Sequence, residues 1–213
     1  MSGKTKVLMV DDNAVMLLGL TEAVSIDPEL ESVGTAESAS EALEMYRKHR
    51  PDVVTMDYEM PGESGVDCTK KILEEFPDAK VVLLSIYETE EDIWQALQAG
   101  VKGYLTKKTG EIEEVLEAIH EVAAGNTFFP SSISRKIDNR RRHLELTPRE
   151  LEILRMLGRG CSNKELMEHF GLSVSTVKNH LINIREKLGA ADRTQAVIIA
   201  IRRGLLRLDY FED

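Results

Sequence analysis

The sequence of 213 residues predicts an α/β domain built on a doubly wound, five-stranded parallel sheet, joined by a linker to an all-α domain of four helices that contains a helix-turn-helix. Three observations lead to this fold class. Short β-branched runs alternate with amphipathic stretches over residues 1–125, as they do in parallel sheets covered by helices. The charge balance changes abruptly after that segment. The remaining sequence carries the capping signals of short helices rather than strand patterns.

Five apolar runs are predicted as strands, and each is followed by a stretch predicted as a helix. In chain order they are KVLMV then AVMLLGLTEAV, ESVGTA then SEALEMYRKH, DVVTMD then GVDCTKKILEEF, KVVLLS then EEDIWQALQAG, and KGYL then EIEEVLEAIHEVAAG. Right-handed crossovers place the helices on both faces of the sheet. Functional groups in such a sheet collect at the carboxyl ends of the strands, beside the point where the strand order reverses.

The charge distribution separates the chain into three segments. Residues 1–125 have a net charge of −15, residues 126–143 of +4, and residues 144–213 of +1. The middle segment contains Gly, Pro, Ser and clustered Arg without clear periodicity, which favours a linker. We therefore expect a first domain over residues 1–125, a linker over 126–143 and a second domain over 144–213.

Composition excludes several classes of protein. No apolar run approaches the roughly 20 residues that a membrane helix needs, so we expect a soluble, cytoplasmic protein with no membrane partner. Cys68 and Cys161 are far apart and have no metal-ligand spacing, which favours reduced structural thiols.

Helix signals are clear in residues 144–213. Thr147 to Glu150 and Ser162 to Glu165 both have the pattern of a capping box, with a proline at the first helical position after Thr147. Gly160 and Gly171 suit the ends of these first two helices. A third helix is predicted from Ser173 to about Leu188, and a fourth from Asp192 to about Arg203. The short break GLS between the second and third helices indicates a helix-turn-helix.

The third of these helices has an apolar face and a polar face. Its predicted core residues recur at spacings of three and four: Val174, Val177, Leu181, Ile184 and Leu188. The far side carries Ser175, Asn179, Ile182, Asn183 and Glu186, flanked by Lys178. This outer face is a candidate for entering a DNA major groove, and the alternative is an ordinary solvated face. A net charge of +1 does not decide between them.

Polar side chains follow four of the five predicted strands. Asp11 and Asp12 come after the first strand, Asp57 ends the third, Ser85 ends the fourth and Lys107 follows the fifth. Any one of them alone is equally explained as a strand-end cap. Together they bring three carboxylates to one edge of the sheet, where adjacent anions need a compensating charge. Carboxylate oxygens suit Mg²⁺, which also binds phosphate, while Lys107 supplies a point charge and Ser85 a hydroxyl donor.

These residues stand in motifs that resemble a known family. VDD at 10–12, VTMDYEMPGESG at 54–65, LLS at 83–85 and GYLTK at 103–107 resemble the receiver domain of bacterial two-component response regulators, which has a flavodoxin-like fold. The resemblance implies that Asp57 is the phosphoacceptor. It implies that Asp11, Asp12, Asp57 and the Glu59 backbone carbonyl hold Mg²⁺, and that Lys107 pairs with the phosphate. Ser85 and Tyr104 take the positions of the switch hydroxyl and switch aromatic; a half-buried strand aromatic is the alternative for Tyr104.

The C-terminal segment carries a second resemblance. LTPRELEILRMLGRGCSNKELMEHFGLSVSTVKNHLINIREKLGAADRTQAV is similar to the LuxR-type DNA-binding domain, so the whole chain resembles the NarL/FixJ family of response regulators. The resemblance implies base contacts from Lys178, Asn179 and Ile182. It implies phosphate contacts from Lys164, Ser175 and Thr176. Ile182 is apolar where some relatives are polar, and either touches a thymine methyl or packs.

The expected function follows from both resemblances. A sensor histidine kinase would phosphorylate Asp57 and so control sequence-specific binding to double-stranded DNA and transcription. Ser85 would turn toward the phosphate and vacate space that Tyr104 fills. The alternative is a phosphorelay module whose C-terminal helices dock a protein or RNA. No enzymatic activity is expected beyond Mg²⁺-dependent self-phosphorylation and slow self-dephosphorylation of Asp57.

A homodimer is expected on DNA with inverted repeats. The last predicted helix offers more apolar surface than a small domain would bury, namely Ala196, Val197, Ile199, Ala200 and Ile201. The alternative is that all of these residues face the domain core. LuxR-type domains typically pair through this helix, which favours the dimer.

Overall fold

The computed structural model describes residues 3–108, 112–142 and 144–207, with the side chain of Arg142 excepted. The chain divides into two compact units, one of residues 1–88 with 92–136 and one of residues 89–91 with 137–213. His143 of the predicted linker and residues 208–213 of the predicted second domain lie outside the described residues. Within the described ranges, no helix has both the length and the apolarity needed to cross a membrane.

The first unit is built on a parallel sheet of five strands, so the predicted fold class is confirmed. The strands are β1 Thr5–Val10, β2 Leu30–Ala36, β3 Val53–Asp57, β4 Val81–Ser85 and β5 Gly103–Thr106, in the order β2-β1-β3-β4-β5. The helices that follow them are α1 Ala14–Ile26, α2 Ala39–His49, α3 Gly65–Glu75, α4 Glu90–Ala99 and α5 Ile112–Ala123. The strand order reverses between β1 and β3, which are hydrogen-bonded neighbours.

The central strands are apolar throughout because both faces of the sheet are covered. Val7 and Met9 of β1 belong to a core that includes residues of α1 and α5. Leu8 and Val10, which point the other way, belong to a core that includes residues of α2 and α3. A strand buried on both faces has no polar side to present, which explains the unbroken apolar run that precedes Asp11.

A glycine allows α3 to begin directly against the end of β3. A Cβ atom at Gly65 would lie 1.8 Å from the backbone oxygen of Asp57, a separation that no side chain tolerates. The Gly65 N–H donates to the Tyr58 carbonyl at 2.8 Å, and Ser64 caps the helix by accepting the N–H of Asp67. The absence of a side chain at Gly65 therefore sets how closely α3 approaches Asp57.

The segment predicted as a linker contains regular structure. The Phe128 N–H donates to the Lys102 carbonyl at 2.9 Å, and the Tyr104 N–H donates to the Phe128 carbonyl at 3.1 Å, so the chain pairs with β5. Helix α6 then runs over Ser131–Arg142. Ile133 and Ile137 are buried, four residues apart, and this spacing was the signal for a helix. The sequence analysis did not predict this helix, because basic residues dominate the segment around the two isoleucines.

The second unit contains the four predicted helices, α7 Pro148–Gly158, α8 Asn163–Phe170, α9 Val174–Leu188 and α10 Arg193–Arg203. Both capping boxes are present, with Thr147 paired to Glu150 and Ser162 paired to Glu165. Gly171 caps α8 in the left-handed conformation, as predicted. Gly160 also has a positive φ and follows the C-cap residue of α7, Arg159, and its N–H donates to the Leu157 carbonyl at 3.0 Å, so it ends α7 as predicted. The helix boundaries were readable from the sequence because each one is a local hydrogen-bonding problem.

One residue of the predicted core face of α9 is exposed. Val177, Ile184 and Leu188 are buried and Leu181 packs partly against the same core. Val174, however, is 50% exposed. Val174 is the first residue of the helix, and the residues that pack in the core begin one turn later. The apolar spacing does not indicate where along the helix the core begins.

Both cysteines are free thiols, as the sequence indicated. Cys68 is buried in the first unit, and burial raises the pKa of its thiol to about 12. A thiol that stays protonated at neutral pH is inert toward oxidants and metals. Its role is to fill space in the core.

A buried ion pair joins α7 to α9 and was not predicted. Lys187 Nζ lies 2.6 Å from Glu150 Oε2, which also accepts the Thr147 N–H at 2.7 Å. Glu150 is 3% exposed. Burial alone would raise the pKa of Glu150, but the hydrogen bonds from Lys187 and Thr147 outweigh it and hold the pKa below its ordinary value of 4.5. The carboxylate thus serves both as a cap and as a partner for α9.

We expect Lys187→Met to destabilise the second unit by about 1.5–3 kcal/mol at neutral pH, because it removes a charge-assisted hydrogen bond from a buried carboxylate. Since the pKa of folded Glu150 is lowered, the pair stabilises fully above pH 4.5 and this contribution is lost as the pH falls below that value. Thermal unfolding of the wild-type protein and of Lys187→Met, followed by circular dichroism from pH 7 to pH 3, measures the difference in their stability.

The matched control is Lys164→Met, which removes an exposed lysine whose Nζ is 3.9 Å from Glu168 Oε1. An exposed pair of this kind contributes about 0–1 kcal/mol. Equal losses of stability for the two variants, or a difference from wild type that stays constant down to pH 3, would contradict the assignment to Glu150.

Candidate functional site

The polar side chains predicted to share one edge of the sheet do lie together. Asp11 and Asp12 follow β1, and Asp57 is the last residue of β3. Each of these three can offer a carboxylate oxygen within 4.8 Å of the others. Asp11 is fully buried, Asp57 is 6% exposed and Asp12 is exposed. The parallel sheet brings them together because neighbouring strands end at the same edge.

Lys107 bridges two of the carboxylates. Its Nζ lies 2.7 Å from Asp11 Oδ2 and 2.8 Å from Asp57 Oδ1. The Lys107 N–H donates to the Ser85 carbonyl at 2.8 Å, which fixes the backbone just beyond β5. Burial lowers the pKa of Lys107, but the hydrogen bonds to both aspartates outweigh it and raise the pKa overall. The ammonium group is therefore a permanent positive charge in the site.

The surroundings of Asp57 disfavour the ionised form of its carboxyl group. Burial raises the pKa of its carboxyl above the ordinary value, and the nearby charge of Asp11 adds to the rise. The hydrogen bond from Lys107 and one from the Glu59 backbone N–H oppose it. A second cation beside Asp57 would favour the ionised carboxylate further.

The donor set fits a small divalent cation. Three carboxylates and one ammonium group leave two formal negative charges in a site that is mostly buried. Asp11 Oδ1 accepts the Asn13 N–H at 2.9 Å, which orients the carboxylate. All the side-chain donors are hard oxygens, the ligands that Mg²⁺ prefers, and exposed Asp12 leaves room for water. The residues present therefore match the magnesium site expected from the sequence.

Ser85 and Tyr104 lie beside this site and both contact the loop that follows β4. Ser85 Oγ accepts the Tyr87 N–H at 2.9 Å, and the Tyr104 hydroxyl donates to the Tyr87 carbonyl at 2.7 Å. Tyr104 is fully buried. The ring is therefore more deeply buried than the alternative of a half-buried strand aromatic supposed, and the role of Tyr104 as a switch stays a prediction.

Two tyrosines and an acid close to the site were missed by the sequence analysis. The Tyr87 hydroxyl donates to Glu59 Oε2 at 2.8 Å, and its ring lies 5.6 Å from the ring of Tyr58. The Tyr58 hydroxyl donates to buried Asp92 at 3.3 Å. The available signal was an aromatic residue directly after Asp57 and another two residues after Ser85. Nothing in the periodicity indicated that they meet.

The outer face of α9 is solvent-exposed in the second unit. Lys178, Asn179 and Ile182 are exposed, the last by 48%. Lys164 of α8 is 83% exposed, and its nearest carboxylate is that of Glu168. The predicted base-contacting and phosphate-contacting side chains are therefore accessible on the helix-turn-helix.

The hydroxyl groups at the start of α9 form a cluster. Ser173 Oγ lies 2.8 Å from Ser175 Oγ and 2.8 Å from Thr176 Oγ1, and it accepts the Thr176 N–H. Ser175 is exposed and Thr176 partly buried. These hydroxyls stand at a helix N-terminus, where the helix dipole favours anions.

The apolar residues of α10 are largely used by the core of the second unit. Ala196 and Ala200 are buried, and three more residues pack partly against the core: Val197, Ile199 and Ile201. Val197, Ile199 and Ile201 remain partly exposed, so the expectation of surplus apolar surface on this helix stays a prediction. Ile198, which the sequence analysis left out, is the exposed apolar residue of this helix at 45%.

Two protein families match the two parts of the chain. Residues 7–120 match the family of response regulator receiver domains. Residues 144–200 match the bacterial regulatory proteins of the luxR family. The first match contains every residue of the carboxylate site, and the second contains α7 to α9 and most of α10.

Relatives match along nearly the whole chain. The transcriptional regulatory protein LiaR of Bacillus subtilis (strain 168) is 34% identical over 209 residues, which cover 94% of this chain and 99% of LiaR. The response regulator protein VraR of Staphylococcus aureus (strain NCTC 8325 / PS 47) is 33% identical over 207 residues, covering 95% of this chain and 99% of VraR. The solved RcsB response regulator of Salmonella typhimurium has a TM-score of 0.76 and 22% identity, covering 92% of this chain and 98% of RcsB.

We expect Asp12→Asn to weaken Mg²⁺ binding by at least about tenfold, because the loss of a ligand costs no less than the loss of an orienting neighbour. Isothermal titration calorimetry with Mg²⁺ alone measures the affinity. Asp52→Asn is the matched control: it removes one negative charge at the amino end of β3, where Asp52 is exposed and accepts the Lys6 N–H. Equal affinities for the two variants would place the metal elsewhere.

Proposed function

The chain belongs to the response regulators that join a receiver domain to a LuxR-type DNA-binding domain, and we propose that phosphorylation of Asp57 controls its binding to DNA and thereby transcription. The observation that carries this proposal is Lys107 bridging Asp11 and Asp57 at the carboxyl edge of the sheet. The receiver comprises residues 1–125 and the DNA-binding domain residues 144–213, with 126–143 between them. A sensor histidine kinase is the physiological donor, and the cytoplasm is where such a regulator meets DNA.

Phosphoryl transfer needs no general base here. An Asp57 carboxylate oxygen attacks the phosphorus of the donor, the bond from phosphorus to the donor atom breaks, and an acyl phosphate remains on the protein. Lys107 moves its hydrogen bond from the carboxylate to a phosphoryl oxygen and balances the incoming negative charge. Hydrolysis of the acyl phosphate by water ends the signal slowly, and this is the extent of the chain's own catalysis.

Mg²⁺ is the cofactor of this reaction in our proposal. Asp11, Asp12 and Asp57 would hold it through carboxylate oxygens, together with the Glu59 backbone carbonyl. The ion supplies positive charge beside the transferring phosphoryl group when it is bound. The Asn13 N–H keeps Asp11 Oδ1 oriented for this role, while Lys107 occupies the other oxygen.

The switch starts at Ser85 and involves Tyr104. A phosphoryl group adds a charge of about −1.5 to −2 and three acceptor oxygens beside the end of β4. Ser85 turns its hydroxyl toward one of them and withdraws it from the Tyr87 N–H. Because the Tyr104 hydroxyl holds the Tyr87 carbonyl, the loop and the buried ring respond together.

Helix α9 is the DNA-reading element of the proposed regulator. Lys178, Asn179 and Ile182 contact base edges in the major groove, the last by touching a thymine methyl. Lys164, Ser175 and Thr176 contact phosphates. The exposure of all these side chains except that of Thr176, which is partly buried, and the hydroxyl cluster at the N-terminus of α9 support this assignment.

The active form on DNA is a homodimer on inverted repeats in our proposal. The DNA-binding domain carries a net charge of only +1, so two copies share an electrostatic attraction that one provides poorly. Two-fold symmetry of the protein calls for half-sites in inverted orientation. Exposed Ile198 on α10, beside the partly exposed Val197, Ile199 and Ile201, offers apolar surface for pairing.

We expect Asp57→Asn to abolish phosphate incorporation from acetyl phosphate, because the amide is nearly isosteric with the carboxylate but is not nucleophilic. Incorporation is measured on phosphate-affinity gels, and a gel shift with duplex DNA shows whether the phosphate-dependent gain in affinity disappears with it. Asp52→Asn, an exposed aspartate at the opposite end of β3, should behave as wild type. Incorporation of wild-type extent in Asp57→Asn would contradict the proposed phosphoacceptor.

We expect Asn179→Ala and Lys164→Ala to affect DNA binding in different ways. Loss of a base contact should cost about 1–3 kcal/mol on the preferred sequence and relax the preference at one position, whereas loss of a phosphate contact should weaken all sequences about equally and reduce the salt dependence. Binding selections at two salt concentrations distinguish the two. Identical sequence preferences for wild type and Asn179→Ala would remove Asn179 from base recognition.

The same selections with wild-type protein test the dimer. Inverted half-sites whose centres lie about 10–10.5 bp apart, or a multiple of that, are expected. Single asymmetric half-sites bound by one chain would contradict the proposed homodimer.

A further inference from the structure

Glu88 lies in the loop between β4 and α4, three residues after Ser85, and both of its carboxylate oxygens contact lysines. Lys108 Nζ donates to Oε1 at 2.7 Å, and Lys136 Nζ donates to Oε2 at 2.8 Å. Lys136 also donates to the backbone carbonyl of Glu88 at 2.6 Å. One residue of the Ser85 loop thus contacts both the segment after β5 and helix α6.

These contacts exceed an ordinary surface ion pair. Exposed pairs contribute little, because water screens them and two long side chains lose freedom. The side chain of Lys136 is 29% exposed, and its second donation reaches a main-chain oxygen. Lys136 therefore fixes the backbone of the loop as well as a side chain. Lys108 and then Lys136 lower the pKa of Glu88 to about 2, so the carboxylate is ionised at neutral pH.

The first part of helix α6, residues 131–136, belongs to the first unit. Phe128 pairs with β5 just before the helix, and Ile133 is fully buried. Beyond Lys136 the same helix continues to Arg142 and the chain enters the second unit. Glu88 therefore contacts, through Lys136, the helix whose later residues belong to the second unit.

The opposite side of Glu88 is connected to the phosphorylation site. Ser85 Oγ accepts the Tyr87 N–H, one residue before Glu88. Lys108 directly follows Lys107, whose Nζ contacts Asp57. A phosphoryl group on Asp57 would compete for both the Ser85 hydroxyl and the Lys107 ammonium group. Ser85 and Lys107 are thus separated by at most three residues from groups that contact Glu88 or belong to it.

We propose that Glu88 clamps the Ser85 loop to helix α6, and that Lys136 is a positioning residue whose release accompanies phosphorylation of Asp57. The inference rests on the proposed function of Asp57. A clamp that favours the unphosphorylated loop opposes phosphorylation. Because coupling between two sites is reciprocal, removing the clamp raises the affinity of Asp57 for a phosphoryl mimic by the same factor that phosphorylation weakens the clamp.

The test uses the full chain with Mg²⁺ and beryllium fluoride, which forms a phosphoryl mimic on carboxylates. Isothermal titration calorimetry should show that Lys136→Met binds beryllium fluoride about fivefold more tightly than wild type, at the low end of typical coupling. Lys136→Arg, which keeps the charge and the donors, should stay close to wild type. Arg135→Met is the matched control, because Arg135 is exposed and its guanidinium donates within the helix to the Ser131 carbonyl.

DNA binding separates failure of the clamp from failure of the proposed function. Wild type should gain DNA affinity with beryllium fluoride, and Lys136→Met should bind DNA more tightly than wild type without it. A wild type that neither binds beryllium fluoride nor gains DNA affinity overturns the proposed function. If wild type responds but Lys136→Met binds beryllium fluoride no more tightly than Arg135→Met, the clamp is overturned and the proposed function stands.

Discussion

The bridge from Lys107 to Asp11 and Asp57 is the interaction on which the rest of the receiver depends. Three carboxylates in a largely buried site would resist ionisation together, and one ammonium group at 2.7 and 2.8 Å makes the arrangement tolerable without neutralising it. The residual negative charge is what suits the site to a divalent cation and to phosphate chemistry. Lys107 can serve two strands at once because β1, β3 and β5 end at the same edge.

Hydrogen bonds connect this bridge to the loop that follows β4. Ser85 and Lys107 are joined through their backbones, since the Lys107 N–H donates to the Ser85 carbonyl. Ser85 and Tyr104 both hold Tyr87, one through its N–H and the other through its carbonyl. The loop after β4 is therefore defined by polar contacts rather than by a packed core. Contacts of this kind have few alternatives that satisfy every buried group, and this favours discrete states over gradual deformation.

The second unit is stabilised in a different way. Its helices are short, so their boundaries matter: two capping boxes and glycine caps satisfy the free ends of α7 to α10. The Glu150–Lys187 pair adds one buried polar link between α7 and α9, and the apolar side of α10 completes the core. With the inner residues committed to packing, the outer face of α9 is free to vary in sequence without affecting the fold.

Sequence alone determined the strands, the helix boundaries and the convergence of Asp11, Asp57 and Lys107, because periodicity, capping and parallel strand ends are local or topological rules. Tertiary structure decided what those rules do not specify. Three features depend on neighbours that are distant in sequence. They are the exposure of Val174, the face of α10 that packs against the core, and the helix formed by the Arg-rich segment around Ile133 and Ile137. The tyrosine and lysine partners of Glu59, Glu88 and Glu150 likewise come from 20 to 48 residues away. Long-range polar pairs produce no periodic pattern in a sequence. A single charged residue gives the same sequence signal whether its side chain faces water or pairs with a buried lysine.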